Sequence, residues 1–186
     1  GANANASLPG GETVLMTAAR VGNPEAVKAL LARGANPNAQ ERRNQTALMW
    51  AAAEGHATVV RALIEAGSTI NATLTSGFTP LFFAVREGHI DVVRVLLEAG
   101  VNVNETLKSN KDDRPAPTIN TFYKPVRNGT SPLLHAVENG HFELAIALVE
   151  AGADPNDQRS GFTSLHAISW VRKPDASDVG DPAPIG

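Results

Sequence analysis

The chain contains no cysteine. Disulfide frameworks, thiolate zinc sites and thiol nucleophiles are therefore excluded. Aromatic residues make up only 5% of the 186 positions although apolar residues reach 42%. The apolar share is thus carried by Ala, Leu and Val, which suits small helices stacked closely. A formal charge of -3 is too weak to argue for nucleic acid or an anionic membrane as partner. No apolar run approaches the roughly 18 residues that a membrane span requires, and no direct membrane contact is expected. No basic stretch followed by an apolar one opens the chain, so no secretion signal is recognised.

What the chain does have is a period. Thr13-Val14-Leu15-Met16-Thr17-Ala18-Ala19 returns as Thr46-Ala47-Leu48-Met49-Trp50-Ala51-Ala52 and again as Thr79-Pro80-Leu81-Phe82-Phe83-Ala84-Val85, at steps of 33 residues. Self-similarity at such a period signals stacked supersecondary units. Gly22-Asn23, Gly55-His56 and Gly88-His89 each fall nine residues after the opening Thr. An apolar stripe at i, i+1, i+4, i+5 follows: Val59, Val60, Leu63 and Ile64 in the second unit, Val92, Val93, Leu96 and Leu97 in the third. Each unit therefore reads as helix, glycine turn, helix, loop. Asn23-Pro24-Glu25 supplies a cap, a proline at the first helical position and an acid in the first turn. Gly34, Gly67, Gly100 and Gly152 end the second helices. Before the opening residue stands Gly11, Gly77, Gly129 or Gly161. Asn44 takes that place in the second unit, as a residue that tolerates positive φ.

The spacing breaks once. Thr79 and the next opening residue, Ser131, are 52 positions apart, 19 more than the period. The surplus lies between Asn104 and Asn128, in the loop joining two units. Its first half (Lys108, Lys111, Asp112, Asp113, Arg114) reads as a polar tip. Thr118–Tyr123 is rich in strand-favouring residues. A long insertion contributes nothing to a stack, which makes it a candidate for recognition. After Thr163 the pattern starts again but no second apolar helix follows, and Pro174 should end what begins there.

The expected organisation is a closing loop of an earlier unit at 1–12, repeats at 13–44, 45–77, 78–128 (with the insertion at about 105–127) and 129–161, a half-repeat at 162–173 and a tail at 174–186. Gly1-Ala2-Asn3-Ala4-Asn5 has the form of the closing motif Gly34-Ala35-Asn36-Pro37-Asn38. A fragment of a longer array is therefore expected, fraying at both ends.

These residues resemble ankyrin repeats, whose pattern is Thr-Pro-Leu-His-x-Ala-Ala, Gly-His, Val-Val-x-x-Leu-Leu, Gly-Ala-x-x-Asn. Thr79-Pro80-Leu81, Ser131-Pro132-Leu133, Gly55-His56, Gly88-His89 and Gly152-Ala153-Asp154-Pro155-Asn156 carry the likeness, over about Gly1 to Arg172 apart from the insertion. The resemblance implies an all-α helix-turn-helix solenoid of about four repeats and a half, with one long inserted loop. Met16, Met49, Phe82 and Leu134 replace the pattern's His, which only His166 keeps. That predicts a more apolar seam between repeats. The physics agrees: a lone unit of this size falls below the roughly 40 residues that can bury a core, so stacking must supply it.

Catalytic alternatives fare poorly. His56, His89 and His141 share the turn slot, where the role is structural. His135 and His166 could approach each other on stacked helices, but no acid with zinc-site spacing accompanies them. Ser131 and His135 lack an orienting acid and an oxyanion device, and no phosphate-binding glycine loop is present. No cofactor and no enzyme activity are expected.

In ankyrin-like stacks the first helices and loop tips line the concave side. The residues there that the repeat pattern does not require are Arg20, Arg42, Arg43, Phe78, Arg86, Arg127, Arg159, Phe162 and Trp170, joined by Phe122 and Tyr123 of the insertion. Trp50 and Phe83 fall in a slot that packs between helices. The expected function is binding of a protein or peptide by a non-catalytic module, with a monomer favoured. The alternatives are a structural spacer and a regulatory segment of a longer enzyme or membrane protein.

Overall fold

The computed structural model describes residues 3–108, 128–158, 161 and 163–164. Eight helices are described: α1 (Val14–Val21), α2 (Pro24–Ala32), α3 (Ala47–Ala53), α4 (Ala57–Glu65), α5 (Pro80–Glu87), α6 (Ile90–Glu98), α7 (Pro132–Glu138) and α8 (Phe142–Glu150). Among the described residues the extended structure is a single antiparallel bridge, Ser7 to Thr13. The half-repeat beyond Ser164 and the tail lie outside the described residues, as does Thr118–Tyr123.

The helices alternate between two rows. α1, α3, α5 and α7 stack side by side in the first row, and α2, α4 and α6 do so in the second. Each first helix starts at the recurring hydroxyl. The side chains of Thr13, Thr46, Thr79 and Ser131 accept the backbone N–H three residues on. This satisfies one of the donors that a helix start leaves open. The core runs the length of the stack with no break between units. At the seam, Met16, Met49, Phe82 and Leu134 are all buried, as an apolar seam requires.

Two ladders of polar bonds tie successive repeats. In the first, each turn histidine reaches back to the preceding repeat: His56 Nε2 to the Arg20 carbonyl at 3.0 Å, His89 Nε2 to Ala53 at 3.0 Å, His141 Nε2 to Arg86 at 2.8 Å. The ring lies where a side chain on the preceding turn glycine would stand. A Cβ on Gly22, Gly55 or Gly88 would come within 2.4, 2.7 and 2.7 Å of it. These turns need glycine twice, for the positive φ and for the room. In the second ladder, Asn5 Nδ2 donates to the Gly34 carbonyl at 2.9 Å while its Oδ1 accepts from Asn36 N at 2.8 Å. Asn38 repeats this with Gly67 and Thr69, and Asn104 with Gly152 and Asp154. Asn44 adopts φ 62°, as expected of the residue standing in for glycine.

Both ladders cross the insertion unchanged. The histidine bond spans 36 residues in the first two steps and 55 across the insertion. The asparagine bond goes from 29 to 48. Each has lengthened by the same 19 residues, so the stack continues as though the extra chain were absent. Residues 105–108, assigned by sequence to the insertion, hold to the body. Leu107 is buried and pairs with the far side of the gap, its N–H on the Thr130 carbonyl at 3.0 Å and its carbonyl on the Gly129 N–H at 2.9 Å. The Thr79 hydroxyl donates to Glu105 at 2.5 Å. Burial raises the Glu105 carboxyl above the ordinary carboxylate range, opposed by that hydrogen bond.

Apolar surface is open at each end of the described stack: Leu8, Val14 and Val21 at one, Phe142, Ile146 and Val149 at the other. The second end holds a groove of about 540 Å³ lined by Leu133, Val137, Phe142, Ala145, Ile146 and Val149, with Ser164 at its rim. Ile146 stands where the other second helices carry exposed Lys28, Arg61 and Arg94.

Candidate partner-binding face

The first-helix row presents two positions per repeat to the same side. Four residues after each opening hydroxyl come Thr17, Trp50, Phe83 and His135; three further on come Arg20, Ala53, Arg86 and Glu138. One helical turn separates the two positions, so they neighbour each other within a repeat and across the seam.

Both arginines lie on rings. The Arg20 guanidinium sits 5.3 Å from the Trp50 ring centroid in the next repeat. That of Arg86 sits 5.2 Å from Phe83 and 5.7 Å from Phe78. Contacts of this kind are worth about 0.5–2 kcal/mol each and hold the long side chain in one place. Both side chains remain about two-fifths exposed. Each has an acid beside it: Glu12 3.6 Å from Arg20, Glu87 2.6 Å from Arg86 Nε. As exposed pairs these add little.

Phe78 anchors the adjoining cluster. Its ring centroid lies 5.4 Å from Phe83, 5.9 Å from Phe82 and 5.9 Å, edge-on, from His135. Its backbone belongs to the tip next to the one that carries the insertion, where a Cβ on Gly77 would come 2.7 Å from the Lys108 carbonyl oxygen. The cluster and the root of the insertion are therefore adjacent.

The other expected contact residues divide. Arg42 is bound into the framework: its Nη2 donates to the Pro9 carbonyl at 3.0 Å and its backbone N–H to Gly10 at 3.0 Å. Arg43 is exposed, and among the described residues only its backbone N–H is engaged, by Glu41. Phe122, Tyr123, Arg127, Arg159, Phe162 and Trp170 lie outside the described residues, as does His166. Trp50, read from sequence as a packing residue, is only half-buried and carries Arg20 on its face. Phe83 is buried but sits directly under Arg86. The signal for both was an aromatic recurring in one slot, which periodicity alone could not tell from core.

His135 and Trp50 share a further property. Trp50 Nε1 and His135 Nε2 are buried with no hydrogen-bond partner among the described residues, a state that buried polar atoms rarely adopt. For His135, burial foremost and then the charges of Arg86 and His141 push the imidazole down to about 4. The folded protein thus keeps it neutral where an unfolded chain would begin to protonate near 6.5. Stability is fully present above about pH 6.5 and is lost progressively as the pH falls to about 4, where the loss is complete. The loss is about 3 kcal/mol, at 1.36 kcal/mol per pH unit. Urea midpoints at pH 7 and pH 4.5 check this: a His135→Leu variant should lose about 2–3 kcal/mol less between the two than the parent chain.

Among the described residues no three His, Asp or Glu side chains converge as a metal site would require. No described helix is long and apolar enough to cross a membrane. The arrangement is that of a repeat stack with ring-supported arginines along one row, and the sequence comparison agrees. The family model "ankyrin repeats (3 copies)" matches residues 15–106, and the single "ankyrin repeat" matches residues 128–160. The chain belongs to the ankyrin repeat family, whose members are generally protein-interaction modules. No curated protein matches the chain.

Proposed function

We propose that this chain is a non-catalytic recognition module that holds a protein or peptide across its first-helix row, with the insertion as an added arm. The observation that carries the reading is the pair of guanidinium groups lying over Trp50 and over Phe78 and Phe83. Arginine and aromatic side chains dominate binding energy at protein interfaces. Ring contacts that pre-order them lower the entropy lost on binding. The root of the insertion beside Phe78 supports a role for the arm. A spacer would need neither feature.

The test is capture of partners by the immobilised intact chain, compared with Arg20→Ala/Arg86→Ala, Phe78→Ala and a chain lacking residues 109–127. The excision spares Leu107, whose pairing closes the stack. Each substitution is expected to weaken capture at least tenfold, about 1.4 kcal/mol, with helical content unchanged by circular dichroism. Capture indifferent to all three would overturn the reading.

A further inference from the structure

We propose that the segment recognised by the first-helix row is extended and acidic, with two carboxylate side chains six residues apart and an apolar side chain midway. This rests on the recognition reading above and assigns its partner a chemistry. The first observation is how the arginine donors are spent. Arg20 makes no side-chain hydrogen bond to any described residue, its acid standing at 3.6 Å. Arg86 uses Nε on Glu87, and neither terminal nitrogen bonds a described residue. By contrast, Arg42 and Arg61 commit Nη2 to the Pro9 carbonyl and to Glu98. A guanidinium held over a ring keeps N–H donors at its edge, where a carboxylate can take two of them in parallel.

The second observation is the order of residues in that slot: Arg20, Ala53, Arg86, Glu138 in successive repeats. Neighbouring packed helices stand about 8–10 Å apart, and a chain in the extended polyproline-II form advances about 3.1 Å per residue with three residues per turn, so every third side chain faces the same way. One repeat therefore corresponds to about three residues of an extended partner, and the two arginines to about six. Between them the small Ala53 leaves the half-buried Trp50 beside an apolar side chain. The charge pattern so specified is acid, x, x, apolar, x, x, acid, which reads alike in either chain direction.

A fluorescein-labelled peptide with the core Glu-Ser-Ser-Leu-Ser-Ser-Glu tests this by anisotropy against the intact chain. It should bind at least tenfold more tightly than the same peptide with Gln for both Glu. It should also exceed a version whose Glu residues are brought two positions closer. Arg20→Glu/Arg86→Glu should abolish the preference, and Lys in place of both peptide Glu residues should restore binding to that variant. Equal binding of the Glu and Gln peptides, or no effect of the double reversal, overturns the proposal. So does binding of a phosphoserine version alone, which would assign the site to phosphate. If partner capture needs Phe78 yet ignores both arginine reversals, the acidic motif falls and the recognition reading stands.

Discussion

Replacing Phe82 with alanine is expected to cost about 3–5 kcal/mol, the range for emptying a fully buried aromatic site. Phe82 is the largest fully buried side chain described, at 0% exposure. Its ring meets Phe78 at 5.9 Å and His135 at 5.8 Å, so it joins the third repeat to the fourth. The loss rivals the whole stability of a marginal domain. In a repeat stack stability is close to a sum of units and the interfaces between neighbours. The damage should therefore fall on one interface, with α7 and α8 released before α1–α4. Urea unfolding followed by circular dichroism should change from one transition to two, with the earlier one moved to lower urea. A loss under about 1 kcal/mol in a single transition would contradict the assignment of Phe82 to the seam.

The second large effect separates two glycines that look alike in sequence. Gly88 and Gly140 both close a first helix at the same repeat position, with φ 78° and 79°. Alanine at either must bear the strain of the left-handed region, about 1–2 kcal/mol. At Gly140 no described residue lies within 4 Å of the added carbon, whereas at Gly88 the His141 ring lies 2.7 Å away. Gly88→Ala must also displace that ring from the Arg86 carbonyl, breaking a bond of about 0.5–1.5 kcal/mol. Gly88→Ala is expected to cost about 2–4 kcal/mol and Gly140→Ala about half that, measured as unfolding free energies under one set of conditions. A His141→Ala background should bring the two glycines together. If it does not, the ring is not what Gly88 makes room for.

The candidate face was legible only in part. Arg20, Phe78 and Arg86 stood out because the repeat pattern does not ask for them, and the structure places all three about rings. Arg42 looked the same in sequence, yet its guanidinium serves the Pro9 carbonyl of the neighbouring tip. No local pattern distinguishes an arginine that reaches for a partner from one that reaches for the next loop. Trp50 and Phe83 went the other way. A recurring aromatic slot is what core looks like, and only the stacking of α1 on α3 and the position of Arg86 show a cation lying on each ring.

The period by itself determined the architecture. A glycine needing positive φ, a hydroxyl capping a helix and an apolar stripe are local requirements, met within a few residues and repeated until one solution remains. Stacking followed, since no single unit could bury its own core. Tertiary structure alone decided which polar groups meet across the seam. The insertion appeared in sequence as 19 surplus residues, but its root at Leu107 depends on a pairing with Gly129 and Thr130 across the gap. The same holds for His135, a residue of unremarkable type whose depressed imidazole comes from burial and from the charges around it. Burial, register between repeats and the field at a side chain are sums over residues far apart in the chain, so they exist only once the stack is assembled.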